Sequence, residues 1–194
     1  KLAKDSALKS HFLMNRGSTK SRVMNFEGAY ADLKMAIAFD STNIGAYSNL
    51  AYTVDELKRP DEAMLYYNKI IELDPNFFPV YVNIGFRSQQ NGEHQKALDY
   101  FNKAAKISPK EPLIYSNRSF SKLKTNDLKG AIKDIQKSIK MLPANCYAYK
   151  IRALILLEQG KKQEACDDLF KANQYGFEEQ YGQDVNQLMR QHCN

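Results

Sequence analysis

Apolar and small residues in this chain recur on two beats. Within short windows they step by three or four, as in Tyr47, Leu50 and Val54, or Ala63, Tyr67 and Ile70. That spacing puts them on one face of an amphipathic helix. Between windows the same residue types return every 34 positions. Ala29, Ala63, Ala97, Ala131 and Ala165 keep this interval, and so do Tyr47, Tyr81, Tyr115 and Tyr149. Asn15, Asn49, Asn83 and Asn117 keep it too, as do Pro75, Pro109 and Pro143. A fixed period of this size marks stacked supersecondary units, each too small to bury its apolar face alone.

Each unit reads as two helices joined by a turn. The turn falls at Gly92, Asn126 and Gly160, residue types that tolerate positive φ. In the second unit the place belongs to Lys58, and Pro60 restarts a helix. The second helix carries a narrow inner stripe, such as Ala97, Phe101 and Ala104, or Ala165, Leu169 and Ala172. Small residues there let two backbones approach. Proline then ends the unit, because it disfavours helix in the residue before it. The predicted units are 10–43, 44–77, 78–111, 112–145 and 146–179. The first is degenerate: Arg16 and Lys20 stand at apolar places, and Ser41 replaces proline. The fifth has Phe177 in place of proline. In the tail, 180–194, Tyr181, Val185, Leu188, Met189 and His192 share one helical face, which predicts a capping helix.

These residues resemble the tetratricopeptide repeat. The match includes a large aromatic at the fourth place, here Tyr, and Leu50-Ala51 or Ile84-Gly85 after it. It continues with Ala at the twentieth place, an aromatic or aliphatic residue at the twenty-fourth, a small or apolar one near the twenty-seventh and Pro at the thirty-second. The end of the chain, with Cys166-Asp167-Asp168, Gly176 and His192-Cys193, is similar to bacterial members. The resemblance implies an all-α fold, an α-solenoid of antiparallel helix pairs wound as a right-handed superhelix. It assigns 1–179 to the repeat array and 180–194 to the cap.

Composition agrees with a folded, water-facing chain: 43% of the 194 residues are hydrophobic. No stretch approaches the roughly 20 apolar residues of a membrane-spanning helix. The chain opens with Lys1 rather than Met. That suggests trimming from a longer protein and leaves location open between the cytoplasm, slightly favoured, and a periplasm reached by a lost leader. Cys146, Cys166 and Cys193 are odd in number and lack metal-binding spacing, so they are expected to be ordinary thiols, with a Cys146–Cys166 bridge as the alternative. His11, His94 and His192 fall in different units. No nucleophile–base order, Gly-rich phosphate loop or metal-ligand spacing is present, and the pairs Asp61-Glu62 and Asp167-Asp168 are expected on solvated faces. No catalytic residue, metal or cofactor is expected.

The resemblance implies that the first helices of successive units line a concave groove. Its inward places then hold a row of amides, Asn49, Asn83 and Asn117, beside a row of rings, Tyr52, Phe86 and Phe120. An Asn amide offers both a donor and an acceptor to a peptide backbone. The expected function is a non-enzymatic adaptor that takes an extended peptide or helix of a partner protein. The same asparagines also suit a structural role within the repeat. Tyr115-Ser116-Asn117-Arg118-Ser119 resembles part of the clamp that holds the carboxylate tail of chaperones. Val82, Phe86, Tyr147 and Ile151 occupy the other clamp places, so that ligand is not expected.

Charge is uneven. The chain carries a formal net charge of +6, and the fourth unit concentrates cations. Lys129, Lys133, Lys137 and Lys140 form a stripe on its second helix. A solvated outer face is the plain reading. Docking of an acidic protein is the alternative, with nucleic acid disfavoured because no aromatics interleave with the lysines. Self-association through an exposed end is a further alternative.

Overall fold

In the computed structural model, residues 2–193 are described, and every regular element among them is helical. The chain divides into two compact units, Lys1–Val80 and Tyr81–Asn194. The first holds α1 (Leu2–Arg22), α2 (Phe26–Phe39), α3 (Ile44–Glu56) and α4 (Pro60–Leu73). Helix α5 (Phe78–Gln90) starts at its end and runs into the second unit. The second unit continues with α6 (His94–Ile107), α7 (Pro112–Lys124), α8 (Leu128–Met141), α9 (Cys146–Glu158), α10 (Lys162–Gln174), α11 (Phe177–Tyr181) and α12 (Asp184–His192). Helix α1 starts well ahead of residue 10, where the first repeat is expected to begin.

The 34-residue alanines are the closing points of the helix pairs, and all five are fully buried. Glycine does the same work where backbones come closest. A Cβ on Gly17 would lie 2.7 Å from Leu33 Cγ, and one on Gly85 would lie 2.7 Å from Phe101 Cε1. In the first unit Leu13, Leu33, Leu50, Val54, Tyr67 and Ile70 fill the core between pairs. Small hydroxyls tie the helices across it, with Ser21 Oγ and Thr53 Oγ1 2.9 Å apart and the Asn43 amide donating to Ser10 Oγ at 2.8 Å. In the second unit Phe101, Ile114, Ile135, Ile151, Ile155 and Leu169 are buried. Ser138 Oγ donates to the Pro112 carbonyl at 2.9 Å and accepts from Asn145 Nδ2 at 3.1 Å.

The turns keep the period to the residue. Met24, Lys58, Gly92, Asn126 and Gly160 stand 34 apart, and all have φ between 60° and 76°. The sequence places four of these turns and leaves the one at Met24 unmarked. A side chain in this region costs roughly 1–2 kcal/mol because Cβ crowds the following carbonyl. Asx caps start four helices, Asn25 and Asp127 directly after such a turn and Asn43 and Asn145 at α3 and α9; each accepts from the backbone N–H three residues on.

Three repeats share an ion pair that the sequence pattern does not announce. Arg16 meets Asp32, Arg118 meets Asp134 and Arg152 meets Asp168, always across 16 residues and through two guanidinium nitrogens at 2.6–2.7 Å. The three aspartates are buried. Lys20 and Lys122 add a second cation to Asp32 and Asp134 at 2.8 and 2.9 Å. Hydrogen bonds from Arg16 hold the Asp32 carboxyl down at about 2. Arg16 and Lys20 are therefore substitutions with partners, not defects of a degenerate repeat. Asp168 corrects the expectation of a solvated acid pair: Asp167 is exposed, while Asp168 is enclosed by its arginine. At the same two places the second and third repeats hold Leu50 with Tyr66 and Ile84 with Tyr100. The fold accepts either a charged or an apolar pair there.

The tail also departs from expectation. Gly182, with φ 87°, separates α11 from α12, so Tyr181 and Val185 lie on different helices. Phe177, standing where other units have proline, is buried and opens α11. Val185 is buried with Tyr149, Leu169 and Ala172, and Leu188 and Met189 pack partly against them. A disulfide joins Cys166 on α10 to Cys193 beyond α12, which corrects the reading of ordinary thiols. Only Cys146 is free; it is buried, and burial pushes its thiol pKa up. Closing a loop with a sequence separation of 27 removes chain entropy worth about 3–4 kcal/mol.

Lys58→Gly is expected to stabilise the protein by about 0.5–1 kcal/mol, because glycine takes the left-handed turn without strain. Urea denaturation followed by circular dichroism reads this as a raised midpoint; a lowered midpoint contradicts it. Arg152→Ala leaves Asp168 buried without its cation and is expected to cost about 3 kcal/mol or more. The double variant Arg152→Leu/Asp168→Tyr copies Leu50 and Tyr66. The new hydroxyl would stand four residues after Glu164, as Tyr66 donates to Glu62 at 2.8 Å. Its midpoint should recover most of the loss, and a double variant no more stable than Arg152→Ala would refute the equivalence.

Candidate functional site

In the first unit α3 carries Asn49 and Tyr52. Asn49 is half-buried, and its side-chain amide has no hydrogen-bond partner among the described residues. Its carbonyl accepts from Thr53 Oγ1 at 2.8 Å, which fixes the turn of helix but leaves the amide available. The Tyr52 ring is 51% exposed, three residues on. Partial burial and the nearby Glu56 carboxylate raise the pKa of its phenol.

In the second unit α5 carries Asn83 and Phe86, and α7 carries Asn117 and Phe120. The Asn83 amide is likewise without a partner among the described residues. Phe86 is 46% exposed, a large apolar area left in water. Asn117 is more committed: its Nδ2 donates to the Leu113 carbonyl at 2.9 Å. Its backbone carbonyl accepts from Gln89 Nε2 at 2.6 Å, and the same nitrogen reaches Ser121 Oγ at 2.7 Å. Gln89 thereby sets the spacing of α5 and α7, a role the sequence does not reveal. Phe120 is the least available of the rings. It meets His94 edge-on at 5.8 Å, lies under the Lys124 ammonium at 5.5 Å and packs partly on the cluster of Ile135, Ile151 and Ile155. Burial and the Lys124 charge lower the pKa of His94.

The four lysines of the stripe are exposed on α8. Lys137 is not free: its ammonium donates to the Tyr115 hydroxyl at 2.6 Å and lies 3.8 Å from the ring centroid. Lys133 and Lys137 line a cleft, whereas Lys129 and Lys140 do not. Ile151, one of the residues occupying a clamp place, is buried and presents no charge. Among the described residues no group of three or more His, Cys, Asp and Glu is placed to hold a metal ion. No helix among them is long and apolar enough to cross a membrane.

Two family models match, both described as tetratricopeptide repeat, over residues 45–77 and 78–111. No curated protein matches the chain in sequence. Solved structures are similar in fold at low identity. One comes from a functional characterisation of pilF of Pseudomonas aeruginosa, with a TM-score of 0.79, 17% identity, and coverage of 100% of this chain and 95% of that one. MamA gives a TM-score of 0.67 at 22% identity, over 88% of this chain and 93% of its own. YrrB, described as a TPR protein with an unusual peptide-binding site, gives 0.62 at 16% identity, over 84% of each chain. With two matched repeats inside a run of helix pairs of one period, the chain is a tetratricopeptide-repeat protein, built on a helical scaffold of the kind that mediates protein–protein interaction.

Proposed function

We infer that the protein is a non-catalytic adaptor that binds an extended segment of a partner protein on the amide-and-ring face of its first helices. The observation that carries this reading is the coincidence, on α5, of a free Asn83 amide and a half-exposed Phe86 ring one turn apart. The same pairing stands on α3 in Asn49 and Tyr52. Packing explains neither: the cores of the pairs are filled by other residues, and these amides have no hydrogen-bond partner among the described residues. An amide supplies a donor and an acceptor to a peptide backbone, and the ring supplies apolar contact worth about 25 cal/mol per Å² before ordering costs are subtracted. The peptide-binding site reported for YrrB lends support by likeness of fold. Asn117 contributes through its side-chain Oδ1, since its Nδ2 is bonded to the Leu113 carbonyl. Phe120 contributes through the ring surface that His94 and Lys124 leave free.

The triple variant Asn83→Ala/Phe86→Ala/Asn117→Ala tests the reading. Affinity capture from lysate of the native cell, compared with the wild type, should lose its specific partner, while the melting temperature falls by only a few degrees. A full set of captured proteins with the triple variant contradicts groove binding.

A further inference from the structure

The second unit contains two clefts of one plan, 34 residues apart. The first lies between α6 and α8, floored by Tyr115 and Arg118 of α7. The Arg118 guanidinium donates to Asp134 and, through Nη1, to Asn102 Oδ1 at 3.0 Å. The second lies between α8 and α10, over α9. Its Gln136, Arg152, Asp168 and Lys171 occupy the places of Asn102, Arg118, Asp134 and Lys137.

Their charges differ. Lys106, Arg118, Lys133 and Lys137 line the first, against the single carboxylate of Asp134. That carboxylate is already held by Arg118 and Lys122. In the second cleft three cations, Arg152, Lys161 and Lys171, meet the three carboxylates of Glu164, Asp167 and Asp168. The decisive position is Lys133, whose counterpart one repeat later is Asp167. The fold builds this cleft without excess charge in one repeat, so packing does not demand the excess in the other.

The lysines are also disposed to receive a ligand. Lys106 and Lys133 are exposed and have no partner among the described residues. Lys137 is anchored by its bond to the Tyr115 hydroxyl, which holds its ammonium at the wall of the cleft. A volume near 580 Å³ exceeds what one inorganic anion fills, and it falls in the range of sites for larger ligands. Lysine stems and Ala105 offer apolar surface beside the charges. Nucleic acid fits less well. Tyr115 is the aromatic residue lining the cleft; it is buried and its ring carries Lys137, so no face is open for base stacking.

We propose that this cleft binds an acidic segment of a partner protein, with Asp and Glu carboxylates of the segment engaged by Lys106, Lys133 and Lys137. The site is separate from the amide-and-ring face and stands or falls independently of it. The test uses a fluorescein-labelled hexaglutamate peptide titrated with the full chain and followed by anisotropy. The wild type should bind at low salt and weaken as salt rises. Lys133→Asp, which installs the residue of the neighbouring cleft, should weaken binding about tenfold or more, equivalent to about 1.4 kcal/mol. Lys129→Asp changes net charge equally, lies outside the cleft and should change affinity by less than about twofold. If circular dichroism shows Lys133→Asp unfolded, Lys106→Gln reads the same cleft. Absence of wild-type binding at low salt, equal weakening by the Lys129 and Lys133 variants, or tighter binding of a single-stranded oligonucleotide of equal charge would each overturn the proposal.

Discussion

Two helices can share a core only if their backbones approach closely, and in this chain the contact is made at one alanine per unit. Ala29, Ala63, Ala97, Ala131 and Ala165 are all excluded from water. An aromatic or aliphatic residue follows each one turn on, and two turns on stands a small residue, or Ile70 after Ala63. The left-handed turn that precedes each second helix, with φ between 60° and 76°, aims that helix back at the first. Everything else in the fold is arranged around this repeated contact, and residues outside it are released for other work.

The pair of positions 16 residues apart shows how far that freedom extends. Leu50 with Tyr66 and Ile84 with Tyr100 fill the place with apolar surface, whereas Arg16, Arg118 and Arg152 fill it with guanidinium groups held on buried aspartates. A buried charge is tolerated only when paired and hydrogen-bonded, and here every aspartate receives two bonds from its arginine. The ionic version has a consequence that the apolar one lacks. It lays an arginine along the floor of the clefts between second helices, where the surrounding residues set the net charge. In one cleft those residues are lysines; in the next they are balanced by Glu164 and Asp167.

Much of this was legible in the sequence because a period constrains every unit at once. The alanines, the turns at Lys58, Gly92, Asn126 and Gly160, and the inner stripes all follow from one interval. Three features did not. The Arg–Asp pairs occur in only three units and look like departures from an apolar pattern until Arg16 is counted against Asp32 and the same 16-residue step is found at Arg118 and Arg152. The Cys166–Cys193 bridge follows no motif, since its geometry arises from α12 folding back on α10. The fate of the inward residues depends on single contacts. Asn117 bonds within its own helix and Phe120 sits against His94, while Asn83 and Phe86, at the same places of the preceding repeat, are left open.

The proposed function takes the open ring of Phe86, on a first helix, as the partner's contact and treats an exposed ring on a second helix as incidental. Phe86 on α5 and Phe170 on α10 belong to the same compact part of the fold, Tyr81–Asn194, and are 46% and 58% exposed. A photoreactive phenylalanine analogue placed at each position in turn, followed by illumination in the native cell, compares them directly. A covalent adduct with a partner protein from position 86 and none from position 170 is the predicted result; adducts from position 170 with none from position 86 would contradict it.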